Sequence, residues 1–428
     1  MKQQYDKHRY DVVVIGSGPA GMAAAVSAAD SGVSVCLAER EERMGGILKQ
    51  CIHDGFGLIR FKEKLTGPEY AWRYEQMVRK RDIDFMGLTF LTGIEKREND
   101  FKIAFVNPER GVFEIEAGSL VMAMGCRERS GRQIFLHGER PAGIFTAGQA
   151  QDFINLKGFM PGRRCVILGS GDIGLIMSRR LTLEGAEVLG VYEIGSAPSG
   201  LTRNIVQCLE DYNIPLHLET TVTEVHGKER VEGVTVCRVD ENKKPIMETA
   251  LFLACDSLIL SVGLIPENDI LAPLDVDIDS VTKGPSVNQR QETSVPGMFS
   301  CGNALHVSDL VDYVSESGHV AGKMAAARVL KREADSGQMV IKKAGILQYA
   351  VPQNISFPVN GQVPVFFRPS EASDHAEFIF RQGERVIHKK KLSWLKPSEM
   401  HRLELDLSKV RQDGPAVTFE LKPEAVNE

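Results

Sequence analysis

Asp11–Ile15 (DVVVI) runs directly into Gly16-Ser17-Gly18-Pro19-Ala20-Gly21, and the helical stretch Met22–Asp30 (MAAAVSAAD) follows. After Gly32 comes a second apolar run, Val33–Ala38 (VSVCLA), which ends at Glu39. The same order returns later in the chain. Cys165–Leu168 (CVIL) leads into Gly169-Ser170-Gly171-Asp172-Ile173-Gly174, a helix to about Leu183, then Gly185 and the strand Glu187–Tyr192 (EVLGVY) ending at Glu193. Gly16 to Glu39 is 23 residues, and Gly169 to Glu193 is 24.

Each copy reads strand, glycine turn, helix, strand, acid. The first glycine permits a tight turn, the second lets the backbone approach a pyrophosphate, and the third lets helix and strand pack closely. The helix N-terminus offers unpaired N–H groups and the positive end of its dipole to the phosphates. The terminal glutamate accepts hydrogen bonds from ribose hydroxyls. One GxGxxG is weak evidence. Two in full βαβ context, each with its acid, point to an α/β chain with two dinucleotide sites.

The remaining composition agrees with a folded enzyme. A length of 428 residues predicts about three domains. Hydrophobic residues are 43% and charged residues 25%, which excludes a disordered or fibrous chain. The net charge of −6 argues against nucleic acid or an anionic membrane as partner. The eight cysteines form no CxxC and no metal spacing, so reduced thiols, no metal site and a cytoplasmic location are expected. The polar start MKQQYDKHRY is no signal peptide, and the apolar stretch from Val12 to Ala29 is broken by glycines and Pro19, so no transmembrane segment is expected. Association with a membrane is expected only peripherally, through a partner.

Further motifs resemble one superfamily over residues 10 to about 335. Met44-Gly45-Gly46 follows the first acid, Leu120–Gly125 (LVMAMG) is similar to a hydrophobic strand ending in ATG, Leu258–Pro266 (LILSVGLIP) to a strand-Gly-x-x-Pro segment, and Thr293–Asn303 (TSVPGMFSCGN) to TSVPGIFAAGD. The chain thereby resembles the two-dinucleotide-domain flavoproteins of the pyridine nucleotide–disulfide oxidoreductase superfamily. GGILKQCIHDGFGL and CGNALHVSDLVDYVSESG resemble one branch of it. That branch holds the flavin subunits of hydrogen cyanide synthase, opine oxidase, dye-linked proline dehydrogenase and glycerol-3-phosphate-dehydrogenase-like systems.

The resemblance implies two Rossmann-like domains of three-layer ββα type. A discontinuous FAD domain spans 1–154 and 256–335, and an NAD(H) domain is inserted at 155–255. FAD is assigned to Gly16, Gly18, Pro19, Ala20, Gly21, Glu39, Arg40, Gly45, Gly46, Ala123, Met124, Gly125, Gly302 and Asn303. NAD is assigned to Gly169, Gly171, Asp172, Ile173, Gly174, Glu193 and Gly263. After Glu193, Ile194-Gly195-Ser196 offer no cation for a 2′-phosphate, which favours NAD(H) over NADP(H), with Arg203 the nearest exception. The implied activity is hydride transfer between NAD(H) and FAD, with electrons passed to or from a partner. The partners implied are a substrate-oxidising flavoprotein and a small Cys-rich electron-transfer protein.

Departures from the superfamily pattern narrow the chemistry. Where its disulfide reductases carry CxxxxC, residues 46–55 hold Cys51 alone, so a dithiol relay is excluded. Ile176 stands where a glutamate is usual, and Asn303 replaces an aspartate. The helix expected to begin near Asp309 would point its N-terminus at the flavin. Cys51, His53 and His306 are candidate thiol or proton-relay groups; the alternatives are packing for Cys51, a satisfied loop histidine for His53 and a helix-entry hydrogen bond for His306. Two other functions stay open: a component of a heteromeric dehydrogenase acting on glycerol 3-phosphate, a 2-hydroxy acid or an amino acid, and a catalytically silent nucleotide-binding regulator. Lys331–Lys343 reads as a charged linker, and 344–428 as a small antiparallel β-sandwich that binds a partner. Deleting 344–428 is therefore expected to spare cofactor binding and abolish assembly.

Overall fold

The computed structural model describes residues 8–332, 337–359 and 361–424. Most of the polar N-terminal decapeptide, residues 333–336 of the expected linker, and Asn360 of the Asn360-Gly361 turn lie outside the described residues. Six α-helices occur among those described: α1 Pro19–Asp30, α2 Gly67–Arg79, α3 Ala147–Asn155, α4 Asp172–Leu183, α5 Thr202–Cys208 and α6 Val311–Val329. None is long and apolar enough to cross a membrane.

The chain divides into two compact units, residues 127–265 and residues 1–126 with 266–428. The inserted unit is wider than the expected 155–255. The cause is pairing: Ile144–Thr146 and Ser257–Leu260, outside those bounds, form parallel strands of the unit's own sheet.

In the discontinuous unit, Arg9–Ile15 pairs in parallel with Val35–Ala38 and with the end of the long strand Gly111–Met122. Ile83–Met86 and Met298–Ser300 extend this parallel part, and Phe101–Asn107 and Phe90–Lys96 continue it antiparallel. Side-chain alternation sorts the central strand into two cores. Val12 and Val14 pack beneath α1, α2 and α6, while Val13 and Ile15 pack against Phe101, Ile103 and Phe105.

The inserted unit repeats this plan. Its parallel sheet runs Ile144–Thr146, Ser257–Leu260, Arg164–Leu168, Glu187–Tyr192, Leu216–His217. Cys165 and Ile167 face α3 and α4, while Val166 and Leu168 face Val222, Val225, Val234 and Val236 of an antiparallel sheet. Each unit thus has three layers: helices, a parallel sheet, and an antiparallel sheet.

The C-terminal strands form two sheets around one core that includes Phe367, Phe378, Phe380 and Phe419. The first strand is Gly337–Gly345, so most of the expected linker is a strand. Ile341 is buried there while its charged neighbours Lys342 and Lys343 are exposed. That strand pairs in parallel with Val417–Pro423, so the arrangement is mixed rather than antiparallel. These strands also pack against the rest of their unit. Asn288 donates to Ser356 Oγ at 2.8 Å, Arg290 to Pro358 O at 3.0 Å, and Val287 and Leu305 share a buried cluster with Tyr349 and Val351.

Candidate functional site

The first glycine turn lies at the C-terminal end of Arg9–Ile15, where three other segments gather. Gly45 N donates to Ser17 O at 2.9 Å. A Cβ on Gly46 would stand 2.9 Å from Gly18 Cα, and one on Gly302 2.7 Å from Ala20 Cβ. Ala123 N donates to Ile15 O, and Cys301 N to Met122 O. Gly16, Gly18, Pro19, Ala20, Gly21, Gly45, Gly46, Ala123, Met124, Gly125, Gly302 and Asn303 are therefore gathered around one strand end. Asn303 uses its Oδ1 to accept from Ser308 N at 3.0 Å, and its Nδ2 is 3.7 Å from Cys126 Sγ. Arg40 is exposed directly after Glu39.

Glu39 is buried, and its carboxylate is held by three bonds. Oε2 accepts from Ser17 N at 2.7 Å and Ser17 Oγ at 2.8 Å, and Oε1 accepts from Glu41 N at 3.0 Å. Glu193 repeats the pattern in the inserted unit. Its Oε2 accepts from Ser170 N at 2.9 Å and Ser170 Oγ at 2.6 Å, and its Oε1 from Gly195 N at 2.9 Å. Sequence reading passed over the serines, although the same GSG opens both turns.

The helices behind the two turns have open N-termini. The N-cap residues of α1 and α4 are Gly18 and Gly171, which supply no side-chain cap, whereas α2 is closed by the Thr66–Glu69 capping box. Uncapped N–H groups behind a glycine turn are the chemistry that binds a pyrophosphate. In the second turn, Ser261 N donates to Leu168 O, and Ser261 Oγ accepts from Gly174 N at 3.0 Å, placing the Ser261–Gly263 loop beside it. Asp172 faces the opposite way. Its Oδ1 accepts from Leu201 N at 2.8 Å and Asn204 Nδ2 at 2.7 Å, which ties the loop after Glu193 to the start of α4. Ile173 and Ile176 pack partly buried against the α3–α4 core. Arg203 is exposed on α5.

The relay candidates sit in less reactive settings. Cys51 donates to Ile47 O at 3.3 Å, and burial pushes its thiol up to about 12, so it stays protonated near neutral pH. His53 packs its ring against Phe56 at 5.0 Å. His306 is 3% exposed, lies against Tyr349 and Phe366, and is held down to about 4 by burial, with the Arg368 charge adding to the effect. An imidazole so held is neutral near pH 7 and a poor proton shuttle there. None of the eight cysteines forms a disulfide.

Sequence reading also missed Asp312. This buried carboxylate in the first turn of α6 accepts from Arg60 N at 2.7 Å and Gly57 N at 3.3 Å, fastening the 57–60 turn to the helix. α6 begins at Val311, two residues after the expected start.

A glycine turn, a glycine-capped helix end and a pinned glutamate thus occur together in each of the two units. The chain belongs to the pyridine nucleotide-disulphide oxidoreductase family, whose pattern matches residues 10–325. It is 26% identical to hydrogen cyanide synthase subunit HcnB of Pseudomonas protegens over 343 residues, covering 74% of this chain and 70% of that one. It is 21% identical to an opine oxidase subunit of Agrobacterium tumefaciens, over 75% of this chain and 65% of that one. Among solved structures, the thioredoxin reductase of T. acidophilum superposes with a TM-score of 0.63 at 23% identity, over 76% of this chain and all of the other. The L-proline dehydrogenase of P. horikoshii gives 0.53 at 20% identity, over 77% and 57%. These two likenesses concern the fold. The protein is accordingly an FAD-dependent oxidoreductase of that family.

Proposed function

We propose that FAD binds at the first glycine turn, that NAD(H) binds at the second, and that hydride passes between them. The domain roles belong to this proposal: residues 1–126 and 266–332 for FAD, 127–265 for NAD(H). The observation that carries it is the twin arrangement of an uncapped helix N-terminus behind a glycine turn with a pinned glutamate. The bound cofactors supply the hydride chemistry, and the protein supplies binding, orientation and electrostatics. Ser17 and Ser170 hold the two carboxylates in place, so each glutamate meets a ribose without reorganising. The Glu193 carboxylate would repel a 2′-phosphate, and Ile194-Gly195-Ser196 directly after it carry no cation, which favours NADH over NADPH. With Cys51 single and protonated, electrons leave the flavin without a dithiol relay.

Transfer to a partner protein completes the proposal. The HcnB and opine oxidase relatives are named as subunits. Five large apolar side chains on the 46–79 stretch, Ile47, Ile52, Leu58, Ile59 and Trp72, are exposed, as an interface would need. Anaerobic addition of NADH to the purified yellow protein tests the core of the reading. The visible flavin band should bleach rapidly with NADH and slowly with NADPH. A flavin that bleaches with neither identifies a silent nucleotide-binding protein instead.

A further inference from the structure

The family match ends at residue 325, yet the strands beyond it reach back to the segment that joins the Gly302-Asn303 turn to α6. Asp309, in that segment, is the point of contact. Its Oδ2 accepts from Met400 N at 2.6 Å, and its Oδ1 pairs with the Arg368 guanidinium. Arg368 also donates through Nε to Tyr349 Oη at 3.0 Å and to Ser398 O. The pair is well shielded, with side chains 14% and 19% exposed. In the second turn of α6, Glu316 is gripped by Arg402 through two bonds of 3.0 and 2.6 Å, and Arg402 lies over the Tyr313 and Phe366 rings. The residues between are also tied down: His306 N donates to Gly302 O, and Asn268 Nδ2 donates to Ala304 O at 2.8 Å.

A shielded ion pair is a poor source of stability, because desolvation offsets most of its attraction. What it adds is geometry. The planar guanidinium has fixed donor directions, and here they are spent on a carboxylate, a phenol and a carbonyl. The carboxylate is met from two sides, by Arg368 and by a backbone N–H. The 302–312 segment is thus clamped onto a platform made of Leu347–Val351, Gln362–Pro369 and His401–Asp406.

We propose that Asp309 and Arg368 are positioning residues, through which the C-terminal strands fix the 302–312 segment and the N-terminus of α6 at the bound flavin. This rests on the flavin reading above. The helix end carries a positive dipole, offset in part by the buried Asp312 carboxylate of its first turn, so the placement of both sets the field in which the flavin accepts a hydride. The C-terminal strands then tune flavin reactivity from within the chain, in addition to any partner they meet.

The test uses full-length protein with Arg368→Lys, which keeps the charge but loses the fork. The double variant Asp309→Asn/Arg368→Met, which removes both charges together, is the second arm. Flavin midpoint potential, single-turnover bleaching by NADH, NADH affinity, and hydrogen exchange over 302–312 are read in each. In Arg368→Lys the potential should shift, and the bleaching rate at saturating NADH should fall about tenfold. NADH affinity should stay within about twofold. Exchange should quicken over 302–312 and not at residues 169–174. The double variant should show the same shift and slowing, and it decides the matter if Arg368→Lys does not fold. Folded, flavin-bound variants with unchanged potential and bleaching rate overturn this proposal alone. A wild-type protein that takes up no flavin overturns the reading beneath it.

Discussion

His306 shows how burial settles what a side chain can do. It lies four residues past the Gly302 turn, where an imidazole looks like a proton carrier. In the fold it is almost fully enclosed by Tyr349, Phe366 and the charged Arg368, and its ordinary value of 6.5 falls to about 4. The neutral ring is therefore the folded form. Between pH 6.5 and 4 the unfolded chain takes up this proton and the folded chain does not. Its contribution is complete above pH 6.5 and is lost as pH falls toward 4, by at most about 3 kcal/mol. His401, also lowered by burial, acts in the same direction. Denaturant unfolding across this range should show wild type losing stability relative to His306→Phe as the solution is acidified. A difference that stays flat with pH would mean that His306 is solvated.

The pairing of α1 with α6 depends on two small residues. A Cβ on Gly318 would lie 2.1 Å from Ala20 O, and one on Gly322 2.0 Å from Ala24 O. The helices touch backbone to backbone at these positions, so α1 can present its N-terminus at the first glycine turn while α6 crosses it. Gly322→Ala should cost about 1–3 kcal/mol, because the added methyl meets rigid backbone. It should also lower the FAD content of the purified protein. Thermal unfolding and the flavin-to-protein absorbance ratio measure both effects. The four-residue spacing of these glycines is visible in the sequence, but its use is not, since only the crossing partner makes it necessary. Gly337–Gly345 teaches the reverse lesson. Its lysines suggested a linker, while the strand forms because Ile341 alternates inward against the C-terminal core.

Across the whole chain, the C-terminal strands prove to be part of the discontinuous unit's packing. Asn288, 1% exposed, and Arg290, 9% exposed, find their partners in Ser356 and Pro358. Val287 and Leu305 are buried against Tyr349 and Val351. Removing the strands would take away the acceptors of Asn288 Nδ2 and of the Arg290 guanidinium and leave this apolar surface wet, each a cost of about 1–3 kcal/mol. A protein ending at residue 332 should therefore aggregate on gel filtration and retain little FAD. This reverses the expectation drawn from the sequence, in which the region was a detachable module. A monodisperse, yellow truncated protein would restore that module.

The sequence by itself determined the two dinucleotide folds and the residues around each glycine turn, because a tight turn, an open helix end and a ribose acid all lie within about 25 residues of one another. Local chemistry is enough to write such a unit and to read it. It also ruled out the CxxxxC pair of the superfamily's disulfide reductases, since residues 46–55 hold Cys51 alone. Only the tertiary structure decided the settings of Cys51 and His306, the clamp of Asp312 on the 57–60 turn, and the link from Asp309 to Arg368. Those contacts join residues far apart in the chain. Burial and partner choice, which fix whether a group titrates, reacts or only holds its neighbours, arise when the distant strands fold back.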